Sequence, residues 1–311
     1  MHRLVQEGHA VKVIDNDFRG RARRLDAIAG QFEHVTCDVR DAPAISMASR
    51  GADSILHLAA INGTENFYKR PELVLDVGIR GMQSVLEACR TNAIPQLLLM
   101  SSSEVYQTPP TLPTPETVPL MLPDPWNPRY SYGGSKIISE VMLGCFQHDA
   151  LKQAMIIRPH NVYGPDMGYE HVLPQLIMKV AHLIETEGRS KLLFPIQGTG
   201  EQTRSFIHIS DFIDGVMLVL EKGQHREVYH VGTEEEISIR HVVEEIFKYF
   251  KREFELVKGP LPAGGTLRRC PSIQKMHALG FAPRTALEYG IAEMAEWYLS
   301  NRSFWPGTGA A

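Results

Sequence analysis

Cysteine is scarce in this sequence, and its four cysteines lie far apart. No Cys-x-x-Cys pair occurs, which argues against a disulfide scaffold and against a zinc site built on cysteine pairs. Thirteen histidines are present, but no His-Glu-x-x-His pattern or comparable cluster joins them. We therefore expect no metal site and a cytoplasmic protein whose thiols stay reduced.

Long apolar runs and an excess of basic charge are also missing. No stretch is apolar for long enough to cross a bilayer, and no signal-peptide pattern is present. The 32 basic and 36 acidic residues give a formal net charge of −4, so no overall positive field attracts nucleic acid or an anionic membrane. These absences favour a globular protein that binds neither nucleic acid nor membrane.

Strand-like apolar runs alternate with helical patterns through the first half of the chain. Strands are predicted at residues 11–14, 54–58, 96–100 and 155–157, with a long helix over 72–91. This alternation is typical of an α/β fold with a parallel sheet covered on both faces. Residues 108–128 contain eight prolines and are predicted to form an irregular loop or lid.

A possible proton-transfer site follows the proline-rich segment. Tyr132 and Lys136 are four residues apart, which places a phenol and an ammonium on the same face of a helix. The nearby cation is expected to lower the pKa of the tyrosine toward a value useful for proton abstraction. Three serines, 101 to 103, follow an apolar strand and could supply a hydroxyl to the same oxygen. The same pair could also lie on an exposed helix without any function.

Several motifs occur together in a fixed order over some 280 residues, and this order resembles one known family. The runs are Val13-Ile14-Asp15-Asn16, Cys37-Asp38-Val39, His57-Leu58-Ala59-Ala60, Ser101-Ser102-Ser103-Glu104, Tyr132 to Lys136, Arg158-Pro159-His160-Asn161, Arg204-Ser205-Phe206-Ile207 and Arg269-Cys270-Pro271. Together they resemble the extended short-chain dehydrogenases/reductases, specifically the NAD-dependent nucleotide-sugar epimerases and dehydratases. The resemblance implies a Rossmann-type doubly wound parallel sheet with a smaller C-terminal substrate-binding lobe.

The resemblance implies NAD as the cofactor. Asp15, at the end of a strand, would hold both ribose hydroxyls and repel a 2′-phosphate, which favours NAD over NADP. Asp15 could instead be an ordinary strand-end residue. Asp38 lies where relatives contact the adenine amine. The full set of residues expected at the cofactor is Asp15, Asn16, Asp38, Val39, Leu58, Ala59, Ala60, Tyr132 and Lys136.

The resemblance also assigns roles in catalysis and substrate binding. The sugar is oxidised at C4, with Tyr132 taking the hydroxyl proton, Ser102 sharing that oxygen and Lys136 holding the nicotinamide ribose. The substrate is a nucleotide-diphosphate sugar, with a UDP-sugar favoured. The residues expected to bind it are Ser103, Asn161, Arg204 and Arg269.

Three outcomes remain open after the common oxidation step. The 4-keto sugar can be reduced from its other face, which is 4-epimerisation, and this is the activity that we favour. It can instead lose water from C6 or CO2 from a C6 carboxylate, and Glu104 occupies a position where dehydratases and decarboxylases often carry an acid. Ser103 replaces the aspartate of dTDP-sugar dehydratases, which weakens the dehydratase interpretation. Glu104 could also be an unreactive loop residue.

Two departures from the family pattern are visible. The first strand and the Gly-x-x-Gly-x-x-Gly turn are not found, which would leave two strands without their shared neighbour. A truncated reading frame is our preferred expectation, with poor NAD binding and low stability, and an adapted short form is the alternative. Gly78 stands where the family usually carries asparagine. A catalytically impaired scaffold on the same fold is a further alternative.

The expected domain organisation follows the family. Residues 1–164 and 203–237 are predicted to form the NAD-binding domain, residues 165–202 and 238–302 the substrate lobe, and residues 303–311 a loose tail. The helices over 72–91 and 130–148 resemble those that form a four-helix dimer interface, so we expect a homodimer. The apolar stripe of the first helix, 72–91, could equally well serve core packing.

Overall fold

The computed structural model describes residues 1–260 and 267–306. The helices are α1 (His2–Gln6), α2 (Ala42–Ala48), α3 (Thr64–Lys69), α4 (Pro71–Asn92), α5 (Ser131–Cys145), α6 (Val172–Thr186), α7 (Ile209–Lys222), α8 (Ile239–Phe250), α9 (Gln274–Leu279) and α10 (Leu287–Ser300). The strands are β1 (Lys12–Asp15), β2 (Glu33–Thr36), β3 (Ser54–His57), β4 (Gln96–Met100), β5 (Gln153–Pro159), β6 (Val162–Tyr163), β7 (Lys191–Ile196), β8 (Thr203–Arg204), β9 (Ile207–His208), β10 (Glu227–Val231), β11 (Ile237–Ser238), β12 (Glu253–Lys258) and β13 (Arg268–Arg269).

The chain divides into two compact units. Unit 1 contains residues 1–106, 120–158 and 217–229, and unit 2 contains residues 107–119, 159–216 and 230–311 as far as they are described. The predicted division into a cofactor domain and a substrate lobe stays a prediction. A 3-10 turn, Arg302–Phe304, spans the start of the predicted tail, and residues 307–311 lie outside the described residues.

Parallel strands form the centre of unit 1. A four-stranded sheet has the order β10-β5-β4-β3, and β4 pairs in parallel with both β3 and β5. The run of leucines in β4 is almost fully buried, as expected for a strand covered on both faces. The predicted α/β class with a parallel sheet is confirmed.

Strands β1 and β3 belong to different sheets. β1 pairs in parallel with β2, with Asp15 opposite Thr36, and β3 pairs with β4. Within residues 1–260 and 267–306, neither strand has a ladder partner on its second side. Ile14 of β1 and Ile55 of β3 nevertheless pack against one hydrophobic core together with α4. No strand of the described residues pairs with both β1 and β3.

Unit 2 contains three small sheets around its own core. β12 pairs in parallel with β7, β6 with β9, and β8 lies between β11 and β13. Phe194 and Phe247 are buried at the centre of this core. Ser238 caps the start of α8, because its hydroxyl accepts a hydrogen bond from the His241 N–H at 3.1 Å. The strands β7 and β12 were not predicted from the sequence.

Two further properties bear on function. Every helix within the described chain is too short or too polar to traverse a bilayer. In the same part of the chain, no three histidine, cysteine or acidic side chains gather in a way that would hold a metal ion. The proline-rich segment 108–128 forms no α-helix and only an isolated bridge, from Thr114 to Pro271, before a 3-10 turn begins at Pro128, so its predicted irregular conformation is confirmed.

Candidate active site

The end of β4 and the start of α5 bring the predicted catalytic residues together in unit 1. β4 ends at Met100, and Ser102 begins a 3-10 turn. The Ser102 hydroxyl hydrogen-bonds the phenol of Tyr132. The Lys136 Nζ donates to the Met100 carbonyl at 2.7 Å and lies 5.7 Å from the centre of the Tyr132 ring. A serine, a tyrosine and a lysine thus share one buried site.

The pKa of Tyr132 differs from the sequence-based expectation. Burial raises it to about 12 and the charge of Glu104 adds to this rise, while the Ser102 hydrogen bond and the charge of Arg19 oppose it. The expectation that Lys136 lowers this pKa was therefore wrong for this geometry, because the ammonium of Lys136 is directed at the Met100 carbonyl. Desolvation of the phenol is the larger effect.

Lys136 is itself buried in an unfavourable environment for a cation. Burial lowers its pKa to about 8, against the opposing effect of the Glu140 carboxylate. His57, at the end of β3, is also fully enclosed, and burial together with the Lys136 charge lowers its pKa to about 3. His57 is therefore a neutral imidazole at neutral pH. No local sequence pattern indicates this environment, because burial of a strand-end histidine depends on tertiary packing.

An aromatic stack fixes the Tyr132 ring. Phe67 of α3 lies parallel to it, with ring centres 5.2 Å apart and planes inclined by 11°. Both rings belong to a small hydrophobic cluster with Ile61, Val74 and Val77. This contact was missed in the sequence, because nothing in the local pattern around Phe67 indicates a partner 65 residues away.

Glu104 lies close enough to Tyr132 for its charge to raise the pKa of the phenol. Its side chain is half-buried, and its backbone N–H donates to the Ser102 Oγ at 3.2 Å. Ser103 is buried, with 4% of its surface exposed. The turn Ser103–Val105 therefore holds an acidic group beside the serine–tyrosine pair.

The residues expected at the adenosine end of NAD lie at the carboxyl ends of β1 and β2. Asp15 and Asn16 are exposed, and the Asp15 carboxylate accepts a hydrogen bond from the Asp17 N–H at 2.8 Å. Asp38 accepts three hydrogen bonds from Arg40 and one from Asn16. Since a carboxylate offers about four acceptor positions, an adenine amine would have to replace one of these donors.

The turn after β3 is open and lined by small or apolar residues. Leu58 is 57% exposed, Ala59 is exposed and Ala60 is half-buried. Val39, after β2, packs against the hydrophobic cluster that contains Ile61 and Tyr132, and it also lies against Gly81 of α4. Acidic, small and apolar residues at the carboxyl ends of neighbouring parallel strands fit the adenosine and nicotinamide parts of a dinucleotide.

Gly78, the second departure from the family pattern, lies at the contact between α4 and α5. A Cβ atom at this position would come within 2.7 Å of the Ser135 Cβ and 2.8 Å of its Oγ. The Ser135 hydroxyl donates to the Tyr132 carbonyl at 2.8 Å. Ser135 therefore fills the space where an asparagine side chain would lie, and α4 approaches the catalytic helix closely.

The predicted substrate-binding residues of unit 2 also lie together. Arg204 of β8 and Arg269 of β13 are direct neighbours across a parallel strand pair. The Asn161 side chain donates to the carbonyl of Ser205 at 2.8 Å, and the Ser205 N–H donates to the Arg269 carbonyl. Arg204 donates to the Thr203 carbonyl at 2.7 Å. Two guanidinium groups on adjacent strands make a site suited to a diphosphate.

Comparison of the sequence with known proteins points to one family. The sequence profile of the NAD dependent epimerase/dehydratase family matches residues 1–232. The UDP-N-acetyl-alpha-D-glucosaminuronate decarboxylase of Bacillus cytotoxicus is 25% identical over 305 residues, covering 95% of this chain and 92% of the relative. The dTDP-glucose 4,6-dehydratase of Streptomyces niveus is 26% identical over 303 residues, covering 96% of this chain and 86% of the relative.

Comparison with solved structures confirms the predicted fold class. A dTDP-glucose 4,6-dehydratase of Streptomyces venezuelae with NAD bound has a TM-score of 0.84 at 24% identity, covering 98% of this chain and 94% of that chain. The UDP-glucose 4-epimerase of Thermotoga maritima has a TM-score of 0.84 at 22% identity, covering 97% and 94%. The similar proteins therefore include a decarboxylase, dehydratases and an epimerase.

Proposed function

Because the chain belongs to the NAD dependent epimerase/dehydratase family, we propose that it oxidises the C4 hydroxyl of a nucleotide-diphosphate sugar with Tyr132 as the proton-transfer group. The observation that supports this most directly is the convergence of Ser102, Tyr132 and Lys136 in one buried site. NAD is the cofactor of this family, and when bound it accepts the hydrogen that leaves C4 with both bonding electrons.

Each catalytic residue has one task in this proposal. The Ser102 hydroxyl holds the sugar oxygen beside the phenol, and Tyr132 takes the proton from that oxygen. Lys136 would hold the nicotinamide ribose with its ammonium group. Because burial raises the pKa of Tyr132, the Ser102 hydrogen bond and nearby cations are needed to favour the phenolate.

The residues that would hold NAD lie along the carboxyl ends of β1, β2 and β3. Asp15 would accept hydrogen bonds from the adenosine ribose, which favours NAD over its 2′-phosphorylated form. Asn16, Asp38 and Val39 would border the adenine. Leu58, Ala59 and Ala60 would let the dinucleotide approach the backbone after β3.

The substrate would be held by its diphosphate in unit 2. The neighbouring arginines 204 and 269 supply planar donors for phosphate oxygens, and Asn161 is fixed beside them. Ser103, next to the catalytic serine, would border the sugar. We favour a UDP-sugar as the substrate.

Within this family, we favour 4-epimerisation, in which the 4-keto sugar turns and regains hydrogen on its other face. Ser103 supports this choice, because it stands where dTDP-sugar dehydratases carry an aspartate. A second candidate is elimination of water or loss of CO2 with Glu104 as the acid/base group. The position of Glu104 beside the Tyr132 phenol supports this second candidate.

Product analysis in deuterated water separates these activities. The protein would be incubated with NAD and UDP-, GDP- or dTDP-sugars, and the products identified by NMR and mass spectrometry. Epimerisation inverts C4 without solvent deuterium at C5, whereas dehydration and decarboxylation leave deuterium at C5 and remove water or CO2. Absence of any product from all of these sugars would contradict the proposed function.

A homodimer through α4 and α5 is the association that we propose. Ile138 and Val141, one turn apart on α5, are 40% and 56% exposed, which is unusual for β-branched apolar residues on a helix. Light scattering of the wild type and of Val141→Glu tests this. A dimer that the substitution converts to monomer supports the proposal, and a wild-type monomer at micromolar concentration contradicts it.

A further inference from the structure

A buried ion pair lies next to the proton-transfer groups of unit 1. Glu140 on α5 and Arg158 on β5 each have only 5% of their side chain exposed. Arg158 donates from Nε to one Glu140 oxygen at 2.9 Å and from Nη2 to the other. The carboxylate and the guanidinium are therefore joined by two parallel hydrogen bonds.

This pair is connected to every segment that carries a candidate catalytic residue. The Ser101 hydroxyl donates to Glu140, and the next residue is Ser102. Arg158 Nη1 donates to the hydroxyl of Tyr106, the residue that follows the turn bearing Glu104. Glu140 itself lies one helical turn beyond Lys136 and two turns beyond Tyr132, on the same face of α5.

A buried ion pair is a poor means of stabilising a fold, because desolvation of both charges offsets most of their attraction. Such a pair does supply a fixed geometry, because a charged group that moved away from its partner would remain buried without an opposite charge beside it. Here the fixed elements are α5, the end of β4 and the turn Ser103–Val105. These are the elements whose relative position decides whether a serine hydroxyl meets the tyrosine phenol.

We propose that Glu140 and Arg158 are positioning residues that hold Ser102 in hydrogen-bonding contact with Tyr132. This inference rests on the proposed function for its kinetic consequences. Neither residue is assigned a contact with substrate or cofactor. Loss of the paired geometry separates the two catalytic oxygens, even when both charges are kept.

The pair also affects the charge state of Lys136. The groups that face the Lys136 ammonium are Tyr132 and Glu140 from its own helix, His57 from β3 and the Met100 carbonyl from β4. Glu140 raises the pKa of Lys136 against the effect of burial. Turnover needs phenolate together with a charged lysine, so the pH–rate profile should bend where Lys136 loses its proton.

Three variants test geometry and charge separately. Arg158→Lys keeps both charges but loses the two parallel bonds, so kcat should fall by about 10–100-fold, with KM and the bend of the pH–rate profile unchanged. Glu140→Gln leaves a buried guanidinium and should move the bend to lower pH. Arg158→Met leaves a buried carboxylate and should move it to higher pH. Glu87→Gln, which removes an exposed ion pair with Arg90 on α4, is the control and should match the wild type.

Milder variants keep the test decisive if the charge variants fail to fold. Ser101→Ala and Tyr106→Phe each remove one hydrogen bond to the pair. Because each variant loses at most the free energy of about one hydrogen bond, each should lower kcat by a few-fold to about 10-fold. Variants with a lower Tm that keep the wild-type kcat and the wild-type bend of the pH–rate profile would overturn the proposal, because a purely structural role predicts that result.

A crystal structure of Arg158→Lys, or of Ser101→Ala if the former does not fold, gives a readout independent of turnover. The Ser102–Tyr132 hydrogen bond should be broken or lengthened, and an intact bond would overturn the positioning role. If the wild type converts no nucleotide sugar, the proposed function fails while this structural test still decides the inference. If the wild type is active and the variants equal it, only the inference fails.

Discussion

Tyr132 holds its phenolic proton more tightly than a tyrosine in water, because burial raises its pKa to about 12. The phenolate fraction therefore rises tenfold per pH unit through the neutral range. The charged fraction of Lys136 falls above its pKa of about 8. We therefore expect log kcat to rise with unit slope to about pH 8 and then to level off. A rate independent of pH between 6 and 8 would contradict this.

Removal of the phenol alone gives the most direct test of Tyr132. Tyr132→Phe keeps the ring that stacks on Phe67 but removes the proton-transfer group. We expect turnover to fall by about 10²–10⁴-fold with nucleotide-sugar affinity nearly unchanged. Steady-state kinetics and calorimetry measure the two quantities. Tyr130→Phe is the matched control two residues away, and an equal loss there would show that the base has been misassigned.

At the scale of elements, the sequence predicted those whose signal is local. The leucine run of β4 is such a signal, and the strand predicted over 96–100 is confirmed. β8 and β13 could not be predicted, because each is two residues long and depends on a partner more than 60 positions away. β7 alternates buried and exposed residues, but Pro195 within it obscured the strand signal.

The residues of the candidate site fall into the same two groups, those with a local sequence signal and those that depend on tertiary packing. Ser102, Tyr132 and Lys136 could be found from a fixed spacing along one helix and one strand end. The stacking of Phe67 and the ion pair of Glu140 with Arg158 arise only when distant elements pack together. The raised pKa of the tyrosine was missed for the same reason, since desolvation is a property of the packed site.

The contact between α4 and α5 should tolerate no side chain at position 78. Gly78→Ala would place its Cβ 2.7 Å from that of Ser135, so the helices must separate. Overpacking of this kind costs about 1–3 kcal/mol and should lower the Tm by on the order of 5 °C. Turnover should fall as well, because α5 carries Tyr132.

The control for this prediction lies on α5 itself. A Cβ atom at Gly144 would meet nothing within 4 Å, so Gly144→Ala should leave activity unchanged and keep or slightly raise the Tm. Thermal unfolding and kcat of the two variants make the comparison. Equal Tm values for Gly78→Ala and the wild type would show that α4 can move away from Ser135 without penalty.

At the scale of the whole molecule, the two units carry different parts of the proposed reaction. The proton-transfer groups and the residues expected at NAD belong to unit 1, and the arginine pair belongs to unit 2. Arg204→Gln should therefore weaken UDP binding by about 10-fold or more, by loss of charge-assisted hydrogen bonds, without changing NAD affinity. Calorimetric titration with each ligand measures both constants. Arg268→Gln, which removes an exposed arginine paired with Glu236, is the control, and an equal loss in both variants would contradict the assignment.

Buried histidine makes the stability of the whole chain sensitive to acid. The pKa of His57 is about 3 in the folded protein, and a histidine in the unfolded chain has a pKa of about 6.5. Between these values the unfolded state binds more protons, so the free energy of unfolding falls as the pH falls from 6.5 toward 3. The loss from this one group reaches about 2 kcal/mol by pH 5.

This effect can be isolated by comparing Tm values at pH 7.5 and pH 5.0. The drop for the wild type should exceed that for His57→Gln by about 4–8 °C, because glutamine takes up no proton in this range while every other titrating group is retained. His34→Gln, at an exposed position on β2, is the control and should show the wild-type drop. If His57→Gln loses as much stability on acidification as the wild type, the imidazole is protonated in the folded protein. The assignment of His57 as a neutral, enclosed side chain beside Lys136 is then wrong.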